Sequence, residues 1–190
     1  MQRYIKWLLL LTIVVSIISC RDNTPQGMIR KAIGKKVKMQ GLDEIQFLDQ
    51  SMFYQDFRRR YPFVGIIYVD QDCGMCRNTV LEWTKQTALL KTFPDNIAFL
   101  FVYRGDKPTM YFKEISDYYY QSEEDVKFHF FIAPDPHFMF VDSNMDIPRE
   151  IIDMSFLIDE NDRILLVGSP FATPQMKELY RKILMENKSE

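Results

Sequence analysis

The sequence predicts an α/β domain: a central mixed β-sheet with helices packed on both faces. Three observations carry that prediction. Two nearly unbroken apolar runs, "FVGIIYV" (63–69) and "IAFLFVY" (97–103), read as strands buried on both faces, and apolar residues recur at three- and four-residue steps between them. Strand, helix, strand is a βαβ unit with a right-handed crossover. Downstream, "MSFLID" and "RILLVG" flank the turn-rich "ENDR", which predicts an antiparallel hairpin, and "PQMKELYRKILMENK" follows as an amphipathic helix. A parallel unit and a hairpin in one chain make the sheet mixed, and its two faces need helical cover. With 190 residues, 47% hydrophobic and 26% charged, the chain suits one globular domain, and a formal charge of −2 argues against a nucleic-acid partner.

In chain order, residues 1–19 stand apart from that domain. Arg3 and Lys6 precede an apolar run over 7–18 that is short for a membrane span but fits the apolar region of an export signal. It ends in Ile17-Ile18-Ser19-Cys20, which resembles the lipobox of bacterial lipoproteins. That resemblance implies cleavage before Cys20, diacylation of its thiol, and a domain held outside the cytoplasmic membrane on a lipid anchor. Residues 20–44 then form a lipidated N-terminus, a polar tether ("RDNTPQG") and a short helix at Met28, Ile29, Ala32 and Ile33, ringed by Arg30, Lys31, Lys35, Lys36 and Lys38. The basic ring reads as a solvated helix face, with attraction to anionic headgroups as the alternative.

The domain proper is expected over 45–190. "DEIQFL" (43–48) alternates as an edge strand, and the arginines of "SMFYQDFRRR" read as a solvated turn. Pro62 stands at the start of the first buried strand, where a missing donor is tolerated. The helix after it is expected from Cys76 through Val80, Trp83, Thr84, Thr87, Ala88 and Lys91, closed by "FPDN". "KPTMYFKEISDYYYQ" reads as a helix whose tyrosines at 118–120 serve packing, "VKFHFFIAP" as a short strand, and "PDPHFMFVDSNMDIP" as a loop with a short helix.

The chemistry-bearing residues are few. If Cys20 is lipidated, Cys73 and Cys76 are the only free thiols left of three cysteines. In an oxidising compartment such a pair disulfide-bonds, binds a metal ion or exchanges disulfides. A soft ion such as Cu(I) on the two thiols with Met75, and His129 or His137, is one reading. There is no second CxxC and no HxxxH for structural zinc. A permanent local disulfide on a binding scaffold is another.

The strand "VGIIYVD", Cys73-Gly74-Met75-Cys76 opening a helix, the hairpin "FLIDENDRILLVGSP" and the final helix together resemble the thioredoxin-fold TlpA/ResA type of envelope thiol–disulfide oxidoreductase, over about residues 45–188. The resemblance implies a thioredoxin-like fold with Cys73–Cys76 as a redox-active disulfide and no other cofactor. Its partners would be envelope protein thiols and disulfides, a membrane-side electron donor or acceptor, and the bilayer through Cys20. Cys73, at the helix N-terminus, would attack, and Cys76, one turn in and more shielded, would resolve. Gly74 would let the turn close and Met75 would touch a partner.

The family usually places a cis-proline just before the strand that starts the hairpin. The same frame here is Asp153-Met154-Ser155, with Pro148 five residues upstream. Those three residues are the candidate substrate loop. Asp72 stands where the family often has an aromatic residue, with Asp70 nearby, and carboxylates beside a thiol disfavour its thiolate. A reductant or thiol-maintenance role is therefore expected over an oxidase role. CxxC rather than CxxxC separates the chain from the copper-delivery relatives of the fold.

Overall fold

The computed structural model describes residues 24–47, 50–86, 92–105, 107–108, 110–113 and 131–186. Cys20 with the leader, the tyrosines at 118–120 and His129 lie outside those residues. Among the described residues no helix is long and apolar enough to cross a membrane.

Seven strands form one sheet in the order β2-β1-β5-β4-β3-β6-β7. Its centre is β3 (Phe63–Asp70) and β4 (Ile97–Arg104), parallel and paired over all eight residues. β5 (Phe131–Pro134) adds in parallel to β4, while β6 (Phe156–Ile158) pairs antiparallel with β3 and with β7 (Ile164–Val167). The sheet is mixed, as the βαβ unit and the hairpin predict.

Residue parity along the central strands explains why both faces are covered. Val64, Ile66 and Tyr68 of β3 with Ala98, Leu100 and Val102 of β4 face one core layer. Phe63, Ile67 and Val69 with Ile97, Phe99, Phe101 and Tyr103 face the other. The second layer is closed by Val80 and Trp83 of α3 (Gly74–Lys85) and by Tyr180 and Leu184 of α6 (Pro174–Glu186). The first is closed by α1 (Pro25–Ala32), α2 (Tyr54–Arg60), α4 (Met139–Ser143) and α5 (Arg149–Ile152). Gly65 is the one gap in the β3 pattern: a Cβ there would stand 2.5 Å from Phe99 Cδ1, so glycine lets that ring lie on the strand.

Three sequence expectations change. The helix near the N-terminus begins at Pro25, inside the stretch read as tether, because Thr24 Oγ1 accepts from the Gly27 amide (3.1 Å) with proline at the first helical position. β1 (Glu44–Phe47) is not an edge: it lies between β5 and β2 (Gln50–Phe53), and β2 is the edge.

The arginine run is not a solvated turn. Residues 54–60 are α2, with Phe57 fully buried, and Arg58 points inward to pair with Asp162 (3.1 Å) and to donate to the Asp159 carbonyl. Tyr54 Oη also donates to Asp162 (3.0 Å), so α2 pins the turn of the β6–β7 hairpin from across the sheet. At about two helical turns, "YQDFRRR" is too short for its one buried face to show among the charges. Of the helix expected to run to Lys91, residues 74–85 are helical, and 87–91 lie outside the described residues. Residues 34–37 run along β7, with Gly34 N–H donating to the Ile164 carbonyl and Val37 N–H to that of Asp162.

Candidate active site at the carboxyl ends of the parallel strands

Parallel strands bring their carboxyl ends to one edge, and the turns leaving that edge gather the side chains of interest. β3 ends at Asp70, whose register partner on β4 is Arg104. The Asp70 carboxylate is nearly buried and organises the turn that follows. One oxygen accepts from the Asp72 amide (3.0 Å), the other from Arg104 Nη1 (2.6 Å), and the main-chain carbonyl accepts from the Cys73 amide (3.1 Å). The acidic flank read from the sequence is thus partly neutralised by a cross-strand ion pair.

Cys73 is the N-cap of α3, with extended backbone (φ −96°, ψ 106°), and its Sγ accepts from the Cys76 amide (3.3 Å). A sulfur here occupies the place that a Ser, Thr or Asp oxygen fills in an ordinary cap. It also sits at the positive end of a twelve-residue helix, where negative charge on an attacking sulfur is well placed. Both cysteines are free thiols and half-buried. Cys76 leans on the second core layer, and burial pushes its thiol up to about 12; its hydrogen bond with Cys73 adds to the rise, while a backbone hydrogen bond at Asp70 opposes it. The two sulfurs are therefore unlike: one caps the helix and the other is held protonated beneath it.

Gly74 opens α3 with open space where a Cβ would stand, so closing the turn does not depend on its being glycine. Met75 is 79% exposed beside Cys73, available to a partner.

The candidate substrate loop reaches the same edge. β6 runs antiparallel to β3 with Phe156 opposite Ile66, so residues 153–155 precede β6 on the side of the carboxyl end of β3. Asp153 pairs with Arg149 (2.9 Å), and that guanidinium covers the Tyr68 ring (4.8 Å), which ties the loop to β3 through side chains. Ser155 is fixed through its carbonyl, which accepts from the Gly168 amide (2.6 Å), and Met154 is exposed. Pro148 caps α5 and so begins a helix one turn before the loop; it does not stand in for a strand-entry proline.

Several residues here were not singled out from sequence. Arg104 stacks on the Phe138 ring (4.1 Å), and Phe138 holds a left-handed conformation (φ 58°) because the buried Asp135 carboxylate accepts from the Met139 and Phe140 amides just beyond it. The Tyr103 and Tyr111 rings pack at a tilt, 5.2 Å between centroids, and Tyr103 Oη donates to Gln71 (3.4 Å). A usable signal existed for one: "FVGIIYVD" and "IAFLFVYR" are equal runs ending in opposite charges, which in parallel register must meet. His137 is exposed in the loop after β5, and among the described residues no group of three or more His, Cys, Asp or Glu side chains gathers to hold a metal ion.

No family model matches the sequence, and no curated protein matches it. Solved structures do. A Chlorobium tepidum protein provisionally named thiol:disulfide interchange protein DsbE superposes with a TM-score of 0.50 at 20% identity, covering 80% of this chain and 96% of that one. A thioredoxin-like protein solved in its oxidised form gives 0.51 at 12% identity, covering 82% and 98%. A structure concerned with thiol resolution in yeast mitochondrial 1-Cys peroxiredoxin gives 0.50 at 13%, covering 80% and 74%. At these identities the likeness is one of fold, and the fold is thioredoxin-like.

Proposed function

We propose that this chain is a thiol–disulfide exchange protein of the TlpA/ResA type that works through the Cys73–Cys76 couple. The observation that carries the reading is the asymmetry of the two sulfurs. Cys73 caps α3 beside an exposed Met75, and Cys76, one turn in, is held protonated by burial. Cys73 attacks a partner disulfide, and Cys76 then attacks Cys73 to release the partner thiol and leave a 73–76 disulfide. No cofactor beyond that couple is required.

The direction we infer is reductive. The support is the acidic flank: Asp70 and Asp72 precede the pair, and carboxylates beside a thiol oppose the thiolate that a strong oxidant stabilises. The leader over 1–19 and the lipobox-like Ile17-Ile18-Ser19-Cys20 support a lipid anchor at Cys20, with the domain on the outer side of the cytoplasmic membrane. Envelope proteins would be the substrates there, with a membrane-side protein as electron donor or acceptor.

The test is a redox titration of the full chain carrying Cys20→Ser against glutathione, with insulin reduction measured beside a Cys73→Ser variant. A reversible potential in the oxidoreductase range, and insulin reduction lost in the variant, are expected. An inert, very reducing disulfide would instead favour a binding scaffold with a permanent local bridge. The Asp153–Arg149 pair in place of a proline is the feature that such a scaffold would explain.

A further inference from the structure

Charge is spread unevenly along this chain, and a basic stretch lies just after the proposed anchor. Residues 24–42 hold Arg30, Lys31, Lys35, Lys36 and Lys38 and no acidic residue, in a chain of net charge −2. Lys35 Nζ donates to the Asp146 carbonyl and Lys38 reaches the Asp146 carboxylate (3.9 Å), so the segment after α4 engages these two. Arg30 and Lys36 are exposed and have no carboxylate partner among the described residues. Lys36 lies directly opposite Arg163 across an antiparallel bridge. Arg163 is also exposed and without a carboxylate partner there, and its guanidinium is held over the strip by donating to the Gly34 carbonyl (2.9 Å). Like charges placed directly opposite are destabilising, and an anion between them removes the repulsion. Of the acidic side chains in the hairpin turn, Asp159 is taken up by the Asn161 and Arg163 amides and Asp162 by Arg58 and Tyr54, which leaves Glu160. Ile33, the C-cap of α1 and the residue before Gly34, adds an exposed apolar side chain.

We propose that Arg30, Lys36 and Arg163, with Ile33, form a surface that docks onto anionic phospholipid. The proposal rests on the reading of Cys20 as a lipid anchor. Cys20 stands four residues before Thr24, so an acyl anchor there holds the start of α1 within about 14 Å of the bilayer. α1 has eight residues, about 12 Å of helix, and the basic strip follows it directly. At that range an anionic surface raises the docked population about fivefold for each basic residue that meets it. The tether keeps lipid within reach at all times, whereas an acidic protein would have to arrive by collision. The hairpin turn next to Arg163 lies at the amino end of β3, since Ile158 pairs with Val64, whereas Cys73 follows the carboxyl end. β3 has eight residues, about 26 Å of strand. Docking on this pole therefore points the Cys73 edge away from the bilayer, toward partners whose disulfides stand about that far above the lipid.

The test uses the full chain, expressed in a bacterium, purified from its membranes, weighed intact for the acyl group and reconstituted in phosphatidylcholine vesicles made with or without phosphatidylglycerol. Lysines are acetylated with N-hydroxysuccinimidyl acetate. The rate at Lys36 is read by peptide mass spectrometry against that at Lys107, which is exposed beyond the carboxyl end of β4. Phosphatidylglycerol should slow Lys36 about fivefold or more relative to Lys107, and molar salt should remove the slowing in the unaltered protein. Arg30→Glu with Arg163→Glu should restore the Lys36 rate without added salt. Equal Lys36 rates with and without phosphatidylglycerol overturn the docking and leave the anchor standing. Slowing of the same size in phosphatidylcholine alone assigns the cover to the tether, and slowing that follows protein density assigns it to a second copy; either overturns the docking. A protein without an acyl group on Cys20 overturns both the anchor and the docking.

Discussion

Replacing Gly65 with alanine perturbs the point at which β3 and β4 meet ring to backbone, near the start of β3. The new methyl would stand 2.5 Å from Phe99 Cδ1 and 2.7 Å from Cε1, where carbon atoms pack at about 3.5–4.0 Å. Phe99 cannot simply step aside, because Trp83 lies at 5.0 Å and Phe93 at 6.2 Å between ring centroids. Overpacking of this kind costs about 1–3 kcal/mol. Loss of glycine's freedom in the unfolded chain offsets about 0.4–1 kcal/mol of it. The net is a loss of roughly 0.5–2 kcal/mol, equivalent to a fall in melting temperature of about 2–6 °C for a chain of this size. Urea unfolding of Gly65→Ala, Phe99→Leu and the double variant measures it. The two losses should be less than additive, since the leucine makes room for the methyl. An alanine variant as stable as the parent, or strictly additive losses, would refute the Gly65–Phe99 packing and the β3–β4 register drawn from it.

Other consequences concern the site. Arg104→Gln leaves the Asp70 carboxylate near Cys76 without its counter-charge, which disfavours the thiolate. When the reduced Cys20→Ser chain meets one equivalent of 5,5′-dithiobis(2-nitrobenzoate), the second thionitrobenzoate release, by Cys76 attacking the mixed disulfide on Cys73, should slow by about 3–10-fold at pH 8, and adding Asp70→Asn should restore it. Stability should also fall in alkali. Cys76 and Tyr111 have folded-state values raised from 9.0 and 10.0 to about 12, so the stability they contribute is intact below pH 9 and is lost as pH rises through 9–12. Urea midpoints at several pH values should show this loss, and Cys76→Ala should lessen it; a flat profile would contradict the burial of both groups.

Much of this arrangement was legible in the chain. The apolar runs at 63–69 and 97–103 are long enough to be buried on both faces, and they do form the paired centre of the sheet. The hairpin was marked by its turn, since "ENDR" separates two apolar runs, and its residues 156–158 and 164–167 pair as expected. What sequence periodicity missed depends on partners far along the chain. Arg58 looks solvated in "FRRR" because its acceptors, Asp159 and Asp162, lie about a hundred residues away. β1 gives up its edge because residues 50–53 fold back beside it, and a four-residue strand carries too few positions to announce itself.

At the site, the CxxC and its helix could be read directly, because the cap, the spacing and the helix are local. The setting of Cys76 could not. Its burial comes from the second core layer, and the Asp70 carboxylate near it is paired by Arg104 from the neighbouring β4. The resemblance offers Asp153, Met154 and Ser155 as a candidate substrate loop, and the structure ties that loop to β3 through Arg149 and Tyr68.

The claim that most needs testing is the division of labour between the two sulfurs. Reduced full-length Cys20→Ser protein carrying either Cys76→Ser or Cys73→Ser is treated with glutathione disulfide and weighed intact by mass spectrometry. The Cys76→Ser protein should gain one glutathionyl group on Cys73 and keep it, and the Cys73→Ser protein should remain unmodified over the same time. Modification of Cys76 at an equal or greater rate would contradict the account.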